Sequence, residues 1–114
     1  MSKYAELALF IEGEWLSGGG RRHQPVINPA TGATLGELPH ATKEDLDRAL
    51  QAAERSFPKW RAFTPQDRGK ILKRAADLLR ERTEHIARLA TMEMGKTLTE
   101  SRWEVAISAD ILEW

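Results

Sequence analysis

Residues 98–114 form a predicted helix with apolar side chains on two sides, and this feature limits the possible folds more than any other. On a helical period, one stripe consists of Leu98, Val105, Ala109 and Leu112. The second stripe consists of Trp103, Ile107, Ile111 and Trp114. Two stripes need two sets of neighbours, which a larger body or a membrane supplies. A membrane span is excluded by five charged side chains, namely Glu100, Arg102, Glu104, Asp110 and Glu113.

The end of this helix carries no stop signal. No Gly, Asn or Pro follows Ala109, although these residues commonly end the last turn of a helix. We therefore expect Trp114 to be a cut in a longer chain and the helix to be buried in a larger protein. With 114 residues, the chain is long enough for one domain or less.

The first third of the chain has the pattern of two short β-hairpins. In residues 9–16, apolar runs flank Glu-Gly-Glu, where Gly13 can supply the positive φ of a tight turn. The glycine-rich, basic residues 17–22 lack apolar periodicity and predict a flexible loop tip. Residues 24–39 predict the second hairpin, because Pro29 and Gly32 stand at turn spacing between two strand-like runs.

From Thr42 onward the apolar period becomes helical. Thr42 and Asp45 have the spacing of a capping box, and the helix that they begin is predicted to stop at Pro58. Its apolar face consists of Leu46, Ala49, Leu50, Ala53 and Phe57. A second helix is predicted to begin at Thr64 and Pro65. Its apolar face consists of Ile71, Leu72, Ala75, Leu78 and Leu79.

Two further helical segments complete the pattern. The third contains Ile86, Leu89 and Met92 and ends at Gly95, a plausible C-cap glycine. Thr97 and Glu100 then form another capping box at the start of the last helix. The segment is therefore α+β in order, with two short β-hairpins followed by about four helical segments, and 1–114 reads as one continuous portion of a fold.

Charge and cysteine content exclude several classes of function. Lys and Arg number 17 and Asp and Glu also number 17, so no overall field favours a nucleic acid or an anionic membrane. The chain has no cysteine, which excludes disulfides, thiolate metal sites and cysteine nucleophiles within it. The first residues lack a secretory cleavage signature, and we expect a cytoplasmic protein.

No motif in the chain predicts a catalytic, cofactor-binding or metal-ligating residue. Residues 94–97, Met-Gly-Lys-Thr, resemble part of a phosphate loop, but Ala90 stands where the pattern needs glycine, so a helix cap is favoured. Residues 18–20 lack the spacing of a nucleotide-binding glycine loop and predict a surface turn. The three histidines stand apart and predict solvated side chains; they are His23, His40 and His85.

The acidic residues likewise predict no acid/base pair. They stand at helix starts and on exposed faces, where negative charge is favourable, and include Glu44, Asp45, Asp47, Glu100, Glu104 and Glu113.

Four stretches resemble, in order and spacing, the beginning of the NAD(P)-dependent aldehyde dehydrogenase family. They are FIEGEW at 10–15 and the stretches 25–60, 64–82 and 93–105. The most specific piece is NPATG at 28–32, followed ten residues later by Thr42 and Asp45. The next is Arg68 before the pair Ile71 and Leu72. Residues 93–114 look most like the succinate-semialdehyde dehydrogenase branch of that family.

The resemblance implies an α/β subunit several times longer than this chain, with a cofactor domain for NAD or NADP, a catalytic domain and an oligomerising strand arm. The family's nucleophilic cysteine, general-base glutamate and oxyanion asparagine then lie beyond Trp114. No catalytic residue is carried over, and these residues alone are expected to be inactive and to bind no cofactor. The implied partners are the remainder of the subunit, homo-oligomer partners and a small-molecule aldehyde, with no nucleic acid and no membrane.

The resemblance also implies a monovalent-cation site in some family members. Its ligands are the backbone carbonyls just before the Asn-Pro pair, here Val26 and Ile27, and an acidic side chain after the Gly-Lys step. In this chain Val105 stands at the acidic position and Glu104 one residue earlier, which departs from the family pattern.

The function predicted from the sequence is therefore the amino-terminal, scaffolding part of an aldehyde dehydrogenase that oxidises an aldehyde, with succinate semialdehyde as the specific candidate. The alternative is a stand-alone, non-catalytic helical module that binds a partner through its exposed apolar stripes.

Overall fold

The structure is a computed structural model that describes residues 4–114. It contains two hairpins followed by four helices, as the sequence predicts. The chain forms two compact units. The first contains both hairpins and the first helix, and the second contains the remaining helices together with residues Asn28–Gly32.

The first hairpin joins β1 (Leu9–Ile11) to β2 (Glu14–Leu16) in an antiparallel pair. Its turn places Glu12 at a φ of 55° and Gly13 at a φ of 83°. Two consecutive residues with positive φ define a type I′ turn, whose twist suits a two-residue hairpin loop. The predicted role of Gly13 is confirmed, but the turn also forces a glutamate into a conformation that favours glycine or asparagine.

The second hairpin pairs β3 (His23–Ile27) with β4 (Thr34–Pro39), and a register shift separates Val26 from Ile27. Tyr4 covers part of this hairpin. A side chain built on Gly36 would lie 3.0 Å from two ring atoms of Tyr4. Glycine at this position therefore lets the tyrosine ring approach the strand backbone.

Helix α1 (Lys43–Ala62) begins with the predicted capping box. The Asp45 N–H donates to Thr42 Oγ1 at 3.2 Å, and the Thr42 N–H donates to Asp45 Oδ2 at 2.9 Å. The predicted stop at Pro58 is wrong, because the helix continues through it to Ala62. A proline has a helical φ and loses one backbone hydrogen bond, so it can lie within a helix at an energetic cost.

The apolar face of α1 is not a core face. Leu46, Leu50 and Phe57 are between 56% and 61% exposed, whereas the buried residue of this helix is Asp45. The helical period was predicted correctly, but the chain that the structure describes leaves this face uncovered.

The second unit packs α2 (Pro65–Glu81), α3 (Thr83–Met94) and α4 (Leu98–Glu113) around small side chains. Thr64 and Pro65 begin α2 as predicted, with the Asp67 N–H donating to Thr64 Oγ1. The residues buried between the helices are Ala76, Ala87, Ser101, Val105 and Ala109. Small residues let the helix axes approach closely. On the predicted apolar face of α2, Ala75, Leu78 and Leu79 are half-buried, whereas Ile71 and Leu72 are 48% and 39% exposed.

The two stripes of α4 have different environments. Val105 and Ala109 are buried and Leu98 and Leu112 are half-buried, so the first stripe packs inside the unit. In the second stripe Trp103 is 65% exposed, Ile111 is 70% exposed and Trp114 is fully exposed. Among residues 4–114, the first stripe is therefore covered by neighbouring side chains and the second stripe is not. None of the helices in this range is both long and apolar enough to cross a membrane.

Candidate functional site

The most constrained site in the second unit is the loop Asn28–Gly32 where it packs on the junction between α3 and α4. Asn28 organises the loop through three hydrogen bonds. Its carbonyl oxygen accepts from the Thr31 N–H at 3.3 Å and the Gly32 N–H at 2.8 Å, and its side-chain Oδ1 accepts from the Ala30 N–H at 2.9 Å. An asparagine that bonds its own loop backbone in this way stabilises a tight turn.

Pro29 carries this loop onto Gly95. The glycine has a φ of 75° and its N–H donates to the Thr91 carbonyl at 2.9 Å, which confirms the predicted C-cap of α3. A Cβ at Gly95 would lie 3.0 Å from Pro29 Cγ. Two features therefore favour glycine at position 95, namely its left-handed backbone conformation and the nearby proline ring.

The residues after Gly95 begin α4 and do not form a phosphate site. Thr97 and Glu100 form the predicted capping box, in which each side chain accepts from the other residue's N–H. The Lys96 ammonium forms an ion pair with Glu104, and its side chain is only 16% exposed. Because a helix precedes this segment and its lysine is already paired, the helix-cap interpretation is confirmed.

A valine occupies the position at which the implied cation site needs an acidic side chain. Val105 is buried in the helix core, and Glu104 is held by Lys96. Val26 and Ile27 belong to the first unit, whereas Glu104 and Val105 belong to the second. The cation site therefore stays a prediction of the family resemblance.

An ion pair that the sequence pattern did not reveal joins Arg21 to Asp45. The Arg21 Nε and Nη2 donate to the two Asp45 carboxylate oxygens at 2.8 and 2.6 Å, and both side chains are largely buried. The Arg21 guanidinium, with help from the Thr42 N–H, holds the pKa of Asp45 well below its ordinary value. One prediction is thereby corrected, because Arg21 is not part of a flexible loop tip, whereas Asp45 stands at a helix start as predicted.

The Arg21–Asp45 ion pair was not predicted because the two residues are far apart in the sequence. Capping pairs lie three residues apart and can be recognised from spacing, whereas Arg21 and Asp45 lie 24 residues apart. A basic residue directly after three glycines is the one signal in the sequence, since glycines at positive φ let the chain double back.

The histidines do not converge on a reactive centre. His23 and His85 are exposed, as predicted. His40 is half-buried, and its ring nitrogens lie 3.0 Å from Gln24 Oε1 and 3.4 Å from Arg22 Nη2, so it is a partner in a side-chain network. Within residues 4–114, no three His, Cys, Asp or Glu side chains come close enough together to hold a metal ion.

The glycine-containing segments at 18–20 and 94–97 do not have the form of a dinucleotide-binding loop. Residues 18–20 lead into strand β3, whereas a dinucleotide pyrophosphate is usually held by a glycine loop at a helix N-terminus. Gly95 ends α3, and the lysine after it is paired with a carboxylate. We therefore derive no step of cofactor chemistry from these residues.

Comparison with known proteins identifies one family. A family model described as the aldehyde dehydrogenase family matches residues 15–114. The chain is 45% identical over 106 residues to 4-(hydroxymethyl)benzenesulfonate dehydrogenase TsaD1 of Comamonas testosteroni, covering 93% of this chain and 22% of that protein.

Two solved structures show that the fold is shared as well. An NADP dependent enzyme of E. coli is 38% identical with a TM-score of 0.90, and the match covers 97% of this chain and 23% of that one. A betaine aldehyde dehydrogenase of Staphylococcus aureus in complex with NAD+ is 32% identical with a TM-score of 0.86, covering 96% and 22% of the two chains. The chain thus spans about a fifth of the length of the proteins it matches.

Proposed function

The chain belongs to the aldehyde dehydrogenase family, and from that membership we propose that it is the amino-terminal part of a subunit that oxidises an aldehyde to a carboxylic acid with NAD or NADP. The observation that carries this proposal is the match over residues 15–114, supported by structural agreement at a TM-score of 0.90. The match to a solved complex with NAD+ and to an NADP dependent enzyme supports a nicotinamide cofactor for the whole protein.

Within such a subunit this segment provides structural support and no reacting groups. It has no cysteine to form a covalent intermediate with an aldehyde. Its largely buried carboxylate, Asp45, is bound by Arg21 and the capping box and has a lowered pKa, so it is a poor general base. The well-ordered polar groups thus serve helix ends and ion pairs.

We assign the uncovered stripe of α4 to contacts with the remainder of the same subunit. Trp103 and Ile111 are large apolar side chains that are more than half exposed, on a helix whose opposite face is packed. Trp103 also lines an open cleft of about 350 Å³ with Met94, Lys96, Glu100 and Glu104. The matched proteins are more than four times longer than this chain, which supports an intramolecular neighbour for this surface. Homo-oligomer partners and a cytoplasmic location stay predictions from the sequence.

Succinate semialdehyde stays a prediction as the specific substrate. It rests on the resemblance of residues 93–114 to one branch of the family. The names of the relatives indicate different substrates, a hydroxymethylbenzenesulfonate and betaine aldehyde. The stand-alone interaction module is the weaker function, since a family match from residue 15 to residue 114 is not expected of an unrelated helical module.

Two assays on the purified chain test this assignment. We expect no reduction of NAD or NADP above buffer with any aldehyde, because no residue can form the covalent intermediate. We also expect binding of an apolar dye and self-association, because the stripe of α4 is uncovered. Aldehyde-dependent cofactor reduction in a preparation free of host dehydrogenases would refute the scaffolding role. A monomeric chain that binds no apolar dye would favour the stand-alone module.

A further inference from the structure

We propose that the β1–β2 hairpin is a salt-sensitive strap, fastened to α1 by an ionic latch that opens as the ionic strength rises. The latch consists of Glu12 and Glu14 on the hairpin and Arg48 and Arg55 on α1. Opening releases the hairpin from the helix while α1 stays helical.

The geometry of the latch is that of two facing pairs of opposite charge. Arg48 Nη2 donates to Glu14 Oε2 at 2.7 Å, and its Nε lies 3.4 Å from Glu12 Oε2. Arg55 Nη2 donates to Glu12 Oε1 at 2.5 Å. The two arginines are seven residues apart, which places them two turns apart on one face of α1. Both arginines therefore reach the turn of the hairpin at once.

Apolar packing supplies part of the attachment of the hairpin. Ile11 is the buried hydrophobic side chain of this hairpin, and it is 9% exposed. Strand alternation places Leu9 and Leu16 on the same face as Ile11, and both are half-buried. Phe10 and Trp15 lie on the opposite face, where their rings are tilted by 44° with centroids 4.7 Å apart, and they are 60% and 73% exposed. The charged groups therefore add to a small apolar contact.

The turn that carries Glu12 is unusual for a glutamate. Glu12 has a φ of 55°, which is unfavourable for a residue with a Cβ, and its carboxylate accepts from both arginines. A turn of this type prefers asparagine or glycine at this position. Glutamate at this position provides the charge that the latch needs.

The latch is exposed enough for salt to weaken it. The side chains of Arg48, Glu12 and Arg55 are 37%, 43% and 56% exposed. The nearby guanidinium groups, Arg55 before Arg48, lower the pKa of Glu12, so the carboxylate is charged and paired at neutral pH. The screening length falls from about 10 Å at 0.1 M salt to about 3 Å at 1 M, and exposed pairs weaken accordingly.

Amide hydrogen exchange of residues 9–16 within the whole subunit tests the proposal. Between about 0.05 and 1 M sodium chloride, we expect exchange of the hairpin amides to accelerate about three- to tenfold, while the amides of residues 46–54 in α1 keep their protection. In Glu12→Gln the contacts to Arg55 and to Arg48 Nε are lost, so the hairpin exchanges faster at low salt and responds less to added salt, through the remaining pair of Arg48 with Glu14. Lys43→Gln is the matched control, because its exposed pair with Asp47 lies within α1 and does not reach the hairpin.

A second variant separates charge from strain. Glu12→Asn also loses the Glu12 pairs but suits the positive φ, so its hairpin amides stay paired while the methyl resonances of Ile11 move toward solvent-exposed values. Hairpin exchange in the parent that does not change with salt would overturn the proposal. So would Glu12→Gln exchange equal to that of the parent, or Ile11 resonances that stay in place in both Glu12 variants.

Discussion

At the scale of single residues, Gly95 has little tolerance for substitution. It combines a φ of 75° with a proline ring 3.0 Å from the position of an added Cβ. We predict that Gly95→Ala lowers the free energy of unfolding by about 1–2 kcal/mol, because an L-residue is strained in this conformation. Urea unfolding measures the change.

Gly69 provides the matched control for that variant. It lies inside α2, and a Cβ built on it meets no atom within 4 Å. Gly69→Ala should raise the free energy of unfolding by about 0.5–1 kcal/mol, because alanine is the better helix former. Equal effects of the two substitutions would show that neither the left-handed cap nor the Pro29 contact matters.

The ionisation of Asp45 stabilises the folded state through its pair with Arg21. Its pKa is lowered in the folded state, so the stabilisation is present above the ordinary Asp pKa of about 4 and is lost as the pH falls below it. We predict that Asp45→Asn is less stable than the parent at pH 7 and that the difference shrinks in acid. Unfolding curves measured from pH 7 to about pH 2 test this.

The control for that titration is Asp47→Asn. The Asp47 carboxylate is 52% exposed and pairs with Lys43 on the same helix, so its loss should change stability little at any pH. If the difference between Asp45→Asn and the parent were constant with pH, the Arg21 pair would not be the source of the stabilisation.

Whether a side-chain contact could be predicted depends on how far apart its two residues lie in the sequence. The caps at Thr42, Thr64 and Thr97 were predicted, because each needs a partner three residues away. The ion pair of Arg21 with Asp45 was not, because it depends on where the chain returns in space.

At the scale of elements, the last turn of α4 depends on cations from a neighbouring helix. It contains Asp110 and Glu113 and no basic residue, which opposes the helix dipole. Arg80 on α2 compensates, with Nη2 at 2.8 Å from Asp110 Oδ1 and 2.7 Å from Glu113 Oε2. Lys73 adds a contact to Glu113 at 2.9 Å.

We predict that Arg80→Gln frays this turn and speeds amide exchange at residues 110–114 several-fold. Each exposed ion pair contributes only a modest stabilisation, but this substitution removes two pairs together. The control is Arg74→Gln, which removes a pair with Glu81 inside α2 and leaves α4 untouched. Identical exchange at 110–114 in both variants would contradict the compensation of the dipole.

The end of α1 was predicted wrongly at Pro58, which lies inside the helix. A proline inside a helix costs about 3 kcal/mol relative to alanine, and the loss of its stiffness in the unfolded chain offsets up to about 1 kcal/mol. We predict that Pro58→Ala raises the free energy of unfolding by about 2 kcal/mol, measured by urea unfolding. No gain would mean that the helix ends at Pro58 in solution.

The elements themselves were predictable because their signals are local. Period, caps and turn residues identified both hairpins and all four helices. Burial was harder to predict, since Ile71 and Leu72 stand on the predicted apolar face of α2 but are 48% and 39% exposed, whereas Ala76 is buried. Apolar period shows which side of a helix is apolar, but not whether a neighbour covers it.

At the scale of the whole molecule, the central claim is that this chain supports an aldehyde dehydrogenase subunit and contributes no reacting group. Sequence order and spacing alone indicated the family, and the match over residues 15–114 shows it. The aldehyde could not be predicted in the same way, because no residue in the chain was assigned to substrate contact. The uncovered stripe with Trp103 and Ile111 is consistent with a segment that packs against a larger body.

The most direct measurement is catalysis by a chimera in which this chain replaces the matched 106 residues of the Comamonas testosteroni relative. At 45% identity the exchange preserves the fold, and the parent enzyme and a form lacking the segment are the controls. We predict a folded chimera whose single-turnover rate on the parent's own substrate stays within about tenfold of the parent, while the form lacking the segment does not fold. A chimera with the parent's thermal stability but no single-turnover activity would contradict the claim, because the segment would then carry groups that the chemistry needs.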